Sequence, residues 1–307
     1  MARIARDMTW LIGRTPLVEL ARVSPEGCRV VAKLEATNPT SSNKDRAALG
    51  MIEHAERTGF LQPGGTLVEC TSGDLGLALA MVGRQRGYRV VLTMPEGTPQ
   101  HRKSLLKALD AELITTPAAD GMAGAMARAD EIARTTEGAV CLQAFTNRAN
   151  SRIHCDTTAR EIWEDTDGMV SAVVVPVGTG GTAAGCAAFL RQRSVRVLGV
   201  EPAGSPVLGG GKPGRHDIPG LGAGFIPDIL NVSDLDEVLA VSDEQTHKAV
   251  LLLARKEGIL VGPAGGAVLQ AALTVAQRPE SQGQLIVAVL PDAGERYFDH
   301  DSYRQED

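Results

Sequence analysis

Aromatic residues are scarce. Two Trp, three Tyr and five Phe make up 3% of the 307 residues. So few rings argue against a platform that stacks the bases of single-stranded nucleic acid. Long basic runs are missing too, and the formal net charge is -6. A nucleic acid or an anionic membrane is therefore not an expected partner. No apolar stretch approaches the roughly 18 residues of a membrane span. The opening MARIARDMTWLIG carries basic residues but no apolar run of signal-peptide length, and a cytoplasmic location is expected. The five cysteines (Cys28, Cys70, Cys141, Cys155 and Cys186) are odd in number and form no C-x-x-C pair. They read as reduced thiols used as small core residues. No His/Cys cluster has zinc-ligand spacing, so no metal is expected.

What is present is alternation. Apolar runs rich in β-branched residues lie at 28–35, 66–70, 89–95, 111–117, 139–145, 171–178, 195–202, 236–242 and 284–291. Helical patterns fall between them near 45–58, 75–87, 99–109, 121–136, 149–164, 182–193, 243–257 and 265–277. Short continuous apolar runs suit strands buried on both faces of a parallel sheet. Regular β-α alternation predicts an α/β fold with right-handed crossovers. The Gly/Pro-rich stretch 203–227 is long for an ordinary connection and is expected to help close the active site.

The strongest local motif follows the run SAVVVPV. Gly178, Thr179, Gly180, Gly181 and Thr182 lead into the helix AAGCAAFLRQR. Glycines let several backbone N–H groups converge on one anion, and the helix N-terminus adds its positive dipole end. The two threonines add hydroxyl donors. The same residues also satisfy a dinucleotide fingerprint, with Gly178, Gly180 and Ala183 as G-x-G-x-x-A and Glu201 at the end of the next strand. The motif by itself does not separate a dinucleotide from a simpler phosphate ligand.

Lys44 sits in ATNPTSSNKDRAAL, among turn-forming residues at a helix start. A positive charge there opposes the helix dipole, which favours the neutral amine needed for Schiff-base chemistry. A second strand–turn–helix, TLVECTSGDLGLALA, offers the hydroxyls and N–H groups of Thr71, Ser72 and Gly73 to a carboxylate or phosphate. Simple helix capping by Ser72 or Asp74 is the competing reading.

Taken together, these segments resemble the β-substituting pyridoxal-phosphate enzymes of fold type II (tryptophan synthase β-like), most closely the O-acetylserine sulfhydrylases, or cysteine synthases. The resemblance rests on IGRTPLVEL (12–20), LEATNPTSSNKDRAALGMI (34–52), TSGDLGLALA (71–80), RKSLLKALDAELI (102–114), VGTGGTAAG (177–185), GLGAGF (220–225), EGILVGPAGGA (257–267) and LPDAGERYF (290–298), in family order over nearly the whole chain. It implies two open, twisted, mostly parallel sheets flanked by helices. A smaller mobile domain at 37–148 would carry the substrate loop, and residues 1–36 plus 149–307 would form the larger domain. It implies pyridoxal 5'-phosphate as cofactor, an amino-acid substrate and a homodimer. Lys44 would be the Schiff-base lysine and would shuttle the α-proton. Gly178 to Thr182 would hold the cofactor phosphate. Thr71, Ser72 and Gly73 would grip the substrate carboxylate, with Gly222 near its amino group. The implied reaction is β-replacement on O-acetylserine or O-phosphoserine through an α-aminoacrylate.

Three departures fall on that chemistry. The family loop T-S-G-N-T-G has Asp74 and Leu75 in place of Asn and Thr. An ionised Asp74 would repel the cofactor phenolate and an incoming carboxylate unless it is protonated, turned away or met by a cation. The family Gln that donates to the carboxylate is Ala144. A lost charge-assisted hydrogen bond is worth about 1.5–3 kcal/mol. The family Ser that pairs with the pyridine nitrogen is Ala264. Leu75 and Ala144 would also make the pocket roomier and less polar. These changes leave two alternatives: a specialised β-replacement or elimination enzyme with a non-sulfide nucleophile and a 2,3-diaminopropionate-like product, or a catalytically impaired homologue that binds the cofactor.

Overall fold

The computed structural model describes residues 4–71 and 73–303. Its strands are β1 (Leu17–Glu19), β2 (Arg29–Leu34), β3 (Thr66–Cys70), β4 (Arg89–Pro95), β5 (Glu112–Thr116), β6 (Ala139–Cys141), β7 (Ala172–Pro176), β8 (Arg196–Pro202), β9 (Glu237–Val241) and β10 (Leu285–Leu290). Its α-helices are α1 (Lys44–Arg57), α2 (Asp74–Gln85), α3 (Gln100–Ala108), α4 (Gly121–Thr135), α5 (Arg148–Asp156), α6 (Thr158–Asp165), α7 (Gly181–Leu190), α8 (Asp243–Glu257) and α9 (Pro263–Ala276).

Every expected strand and helix is present, with two differences. The edge strand β1 pairs antiparallel with β2 and is too short to show a period of its own. The helix expected at 149–164 is two helices. They break at Thr157, whose backbone leaves the helical region (φ -123, ψ -77) while its hydroxyl and its N–H both donate to the Ile153 carbonyl, at 2.6 and 2.9 Å.

The chain groups into two units, Met1–Ile12 with Lys44–Asn150, and Gly13–Asn43 with Ser151–Asp307. This grouping and the division expected from sequence differ at the N-terminus, where the 3-10 turn Met8–Leu11 packs on α2. The first unit holds a four-stranded parallel sheet in the order β5-β4-β3-β6. Leu67, Val90 and Leu92 face a core shared with α1 and α2, whereas Val68, Cys70 and Val91 face α4. The second unit holds a six-stranded sheet in the order β1-β2-β10-β7-β8-β9, parallel except for β1. Alternation divides its faces. Val174, Leu198 and Ile286 pack with α8 and α9, and Val173, Val197 and Val287 with α6 and α7. This double burial is why the strands read as unbroken apolar runs.

A buried lysine interrupts the apolar run of β2. Lys33 of β2 is fully buried, donates to the Thr15 carbonyl at 2.8 Å and pairs with Glu161 of α6 at 2.9 Å. Removing one partner of a buried pair leaves the other uncompensated. Lys33→Ala is expected to lower unfolding free energy by about 3 kcal/mol, measured by urea titration; a change under 0.5 kcal/mol contradicts the pairing.

Candidate cofactor and substrate site

In open parallel sheets, ligands collect at the carboxyl ends of the strands. In the second unit, β7 ends in the turn that leads to α7. Gly180 caps this helix at φ +86, a left-handed conformation that glycine adopts without a Cβ clash. A Cβ on Gly178 would run into the carbonyl oxygen of Gly220. Two backbones therefore touch here, and only glycine permits it. The Gly222 N–H donates to the Val177 carbonyl at 3.2 Å, which pins the GLGAG segment beside the turn. His216 Nδ1 accepts from the Ile218 N–H at 3.2 Å, so its Nε2–H is left to donate to the Gly222 carbonyl at 3.2 Å.

Thr182 is buried in the first turn of α7. Its hydroxyl accepts from Asn43 Nδ2 at 3.0 Å, and His154 Nε2 lies 3.4 Å away. His154 is itself buried and held through Nδ1 by Thr158 Oγ at 2.8 Å. Thr179 is half-buried. The first turn of α7 carries no acidic side chain. A cradle without side chains, a helix N-terminus and a buried hydroxyl fit a phosphate group. Opposite Gly220, at 3.7 Å from where its Cβ would stand, is the Cβ of Ala264 in the first turn of α9. The buried carboxylate of Asp292 accepts from the next N–H, that of Gly265, at 3.2 Å. The structure thus gathers Gly178, Gly180, Gly181, Thr182, Gly222 and Ala264 in one unit.

Asn43 ends a segment of the same unit, and its own N–H donates to the Pro291 carbonyl at 2.9 Å. Lys44, the next residue, opens α1.

In the first unit, β3 ends at the second anion turn. Ser72 lies outside the described residues. Thr71 Oγ accepts from the N–H groups of Gly73 at 3.2 Å and Gly76 at 3.1 Å. Its oxygen therefore shapes the loop. Asp74 is the first residue of α2 and is half-buried. Arg102 brings a cation to this turn, its Nη1 3.7 Å from where a Gly73 Cβ would be. Leu75 and Ala144 are both buried in the core that α2 shares with the sheet.

Sequence reasoning passed over Glu69. It is buried in β3; Oε1 accepts from the Cys70 N–H at 3.0 Å and Oε2 from the Ala144 N–H at 3.2 Å. It thereby ties the Thr71 turn to the turn after β6. The only signal was a lone charge inside the apolar run TLVEC. Burial, aided by Asp130, pushes its carboxyl up to about 7, against the N–H donors that pull it down.

A carboxyl raised in the folded state stays protonated there while the unfolded chain ionises. Stability should therefore fall as pH rises from about 4.5 to 7, by up to about 3 kcal/mol, and then level off. Denaturation of Glu69→Gln across this range should show a flatter profile than wild type. An identical slope in both proteins would exclude Glu69 as its source.

Comparison with known proteins accords with this geometry. The family described as pyridoxal-phosphate dependent enzyme matches residues 8–292. Cysteine synthase A of Escherichia coli (strain K12) is 43% identical, the alignment covering 97% of this chain and 95% of the relative. The crystal structure of a cysteine synthase (OASS) from Entamoeba histolytica superposes with TM-score 0.95 at 39% identity, covering 99% of this chain and 92% of the other. An O-acetylserine dependent cystathionine beta-synthase from Helicobacter pylori superposes with TM-score 0.92 at 34% identity, covering 99% and 100%. By this likeness over nearly its whole length, the chain belongs to the fold-type-II pyridoxal-phosphate-dependent enzymes, with pyridoxal 5'-phosphate as its cofactor.

Proposed function

We propose that the enzyme carries out β-replacement on an O-activated serine, with O-acetylserine as donor and sulfide as nucleophile. The observation that carries this reading is the Asn43–Thr182 hydrogen bond, 3.0 Å long. Within the second unit it holds a buried hydroxyl at the start of α7, beside the glycine turn that would receive the cofactor phosphate.

When bound, pyridoxal phosphate supplies an electron sink that acidifies the α-carbon of an amino acid and lets a β-substituent leave. The chain's own groups do the rest. Lys44 holds the cofactor and moves the α-proton at Nζ. Gly178 to Thr182 bind the phosphate with N–H groups and hydroxyls. Thr71, Ser72 and Gly73 orient the substrate carboxylate, and Gly222 stands by its amino group. Arg102 brings a positive charge to the turn that opens on Asp74, which suits an anionic substrate. Ala264 offers no hydroxyl to the pyridine nitrogen. The same reading takes residues 37–148 as a mobile domain that closes on substrate, and the chain as a cytoplasmic homodimer, which light scattering would test as twice the chain mass.

Purified wild type should be coloured, and adding O-acetylserine should shift the cofactor absorbance; sulfide should then restore it with cysteine formed. Lys44→Ala should lose the resting band. Thr182→Val should keep it but bind the cofactor about ten- to a hundredfold more weakly, the value of one hydrogen bond to a charged group. A protein that takes up no pyridoxal phosphate sinks the reading. One that consumes O-acetylserine but incorporates only amines, by mass spectrometry, overturns sulfide as the nucleophile.

A further inference from the structure

Away from the cradle, three segments of the second unit converge on one carboxylate. Asp217 lies in the Gly/Pro-rich stretch 203–227, His247 on α8, and His300 in the turn after Gly294–Tyr297. Their ligand-type atoms all lie within 4.8 Å of one another. His300 Nε2 is 3.2 Å from Asp217 Oδ1, and His247 Nε2 is 3.8 Å from Oδ2. Both Nε2 atoms are shielded from solvent and neither makes an aligned hydrogen bond. The two rings stand edge to face with centroids 5.6 Å apart. Two buried ring nitrogens without a hydrogen bond, aimed at one carboxylate, are costly as a mere packing arrangement.

We propose that Asp217, His247 and His300 bind a divalent cation of the zinc type. Two imidazoles and a carboxylate are its usual donors, with a fourth position left for water. Bonds of 2.0–2.2 Å in a tetrahedron set donor atoms about 3.4 Å apart. The His300–Asp217 distance meets that already. Half-exposed Asp217 has room to rotate, and His247 closes the remainder by a small shift. The proton count balances as well. Without the cation, the Ser302 N–H donating to His300 Nδ1 at 3.1 Å keeps the ring proton on Nε2, facing Asp217. With the cation on Nε2, the ring proton sits on Nδ1 and is donated to Ser302 Oγ, 3.0 Å away, while the Ser302 N–H gives up its bond to that nitrogen. The bound ion fastens the stretch 203–227 to α8 one residue after His216, which holds the Gly222 carbonyl. It would therefore steady the GLGAG segment from outside the cofactor site.

The test is calorimetric titration of chelator-treated holoenzyme with zinc chloride and, separately, magnesium chloride. Wild type should bind one zinc per chain and melt at a higher temperature when loaded. Magnesium should bind far more weakly, since it disfavours imidazole donors. Asp217→Asn and His247→Gln should each weaken zinc at least about tenfold, with the cofactor absorbance retained as the sign of a folded protein. Cysteines also bind zinc, so a parallel cobalt titration should lack thiolate charge-transfer absorption. No zinc binding by wild type, equal binding by wild type and both variants, thiolate absorption, or magnesium as tight as zinc would each overturn the proposal.

Discussion

The contact on which the larger unit's chemistry depends is between two main chains. At Gly178 the turn after β7 meets the Gly220 carbonyl with no room for a side chain. That approach lets Val177 receive the Gly222 N–H and lets the glycine turn feed straight into α7. Any side chain at position 178 would push the two loops apart, and the N–H groups proposed to hold the phosphate would diverge with them. The hydroxyl of Thr182 is then placed by two buried partners, Asn43 and His154, so that it cannot swing away.

The protein treats its buried charges in two ways. Lys33 is neutralised by Glu161 and by a carbonyl, and it joins β2 to α6. Glu69 meets two N–H groups and the Cys70 thiol, and burial, aided by the like charge of Asp130, pushes its carboxyl up to about 7. This second arrangement makes the tie between the Thr71 turn and the turn after β6 stronger in its ionised form, at a cost in overall stability.

Legibility in the sequence followed locality. The turn at 178–182 was readable because an apolar run, glycines and a helix stand in one continuous segment. Lys44 by itself was an ordinary lysine at a helix start; its meaning came from the order of many segments. Leu75 and Ala144 sit at positions that read as pocket lining; that both are also buried in the core of the first unit is a tertiary effect with no local signature. Glu69 was hidden as one charge in a strand. Asp217, His247 and His300 carry no spacing motif because the sheet of the second unit and its long loop bring them together. The missed break at Thr157 is local, but it lies in backbone angles that periodicity does not register.

Thr71 has a consequence for binding rather than for shape. Its oxygen already accepts the N–H groups of Gly73 and Gly76 in the protein by itself. Ordering a backbone residue costs about 1–2 kcal/mol in conformational entropy. Gly73 and Gly76, held by these bonds, spare an incoming carboxylate part of that loss, so more of the intrinsic attraction between anion and N–H groups survives as affinity. Selectivity in this turn is then a matter of rigidity: a ligand that fits the preset donors gains, and one that requires the loop to rearrange must first break the threonine's two bonds.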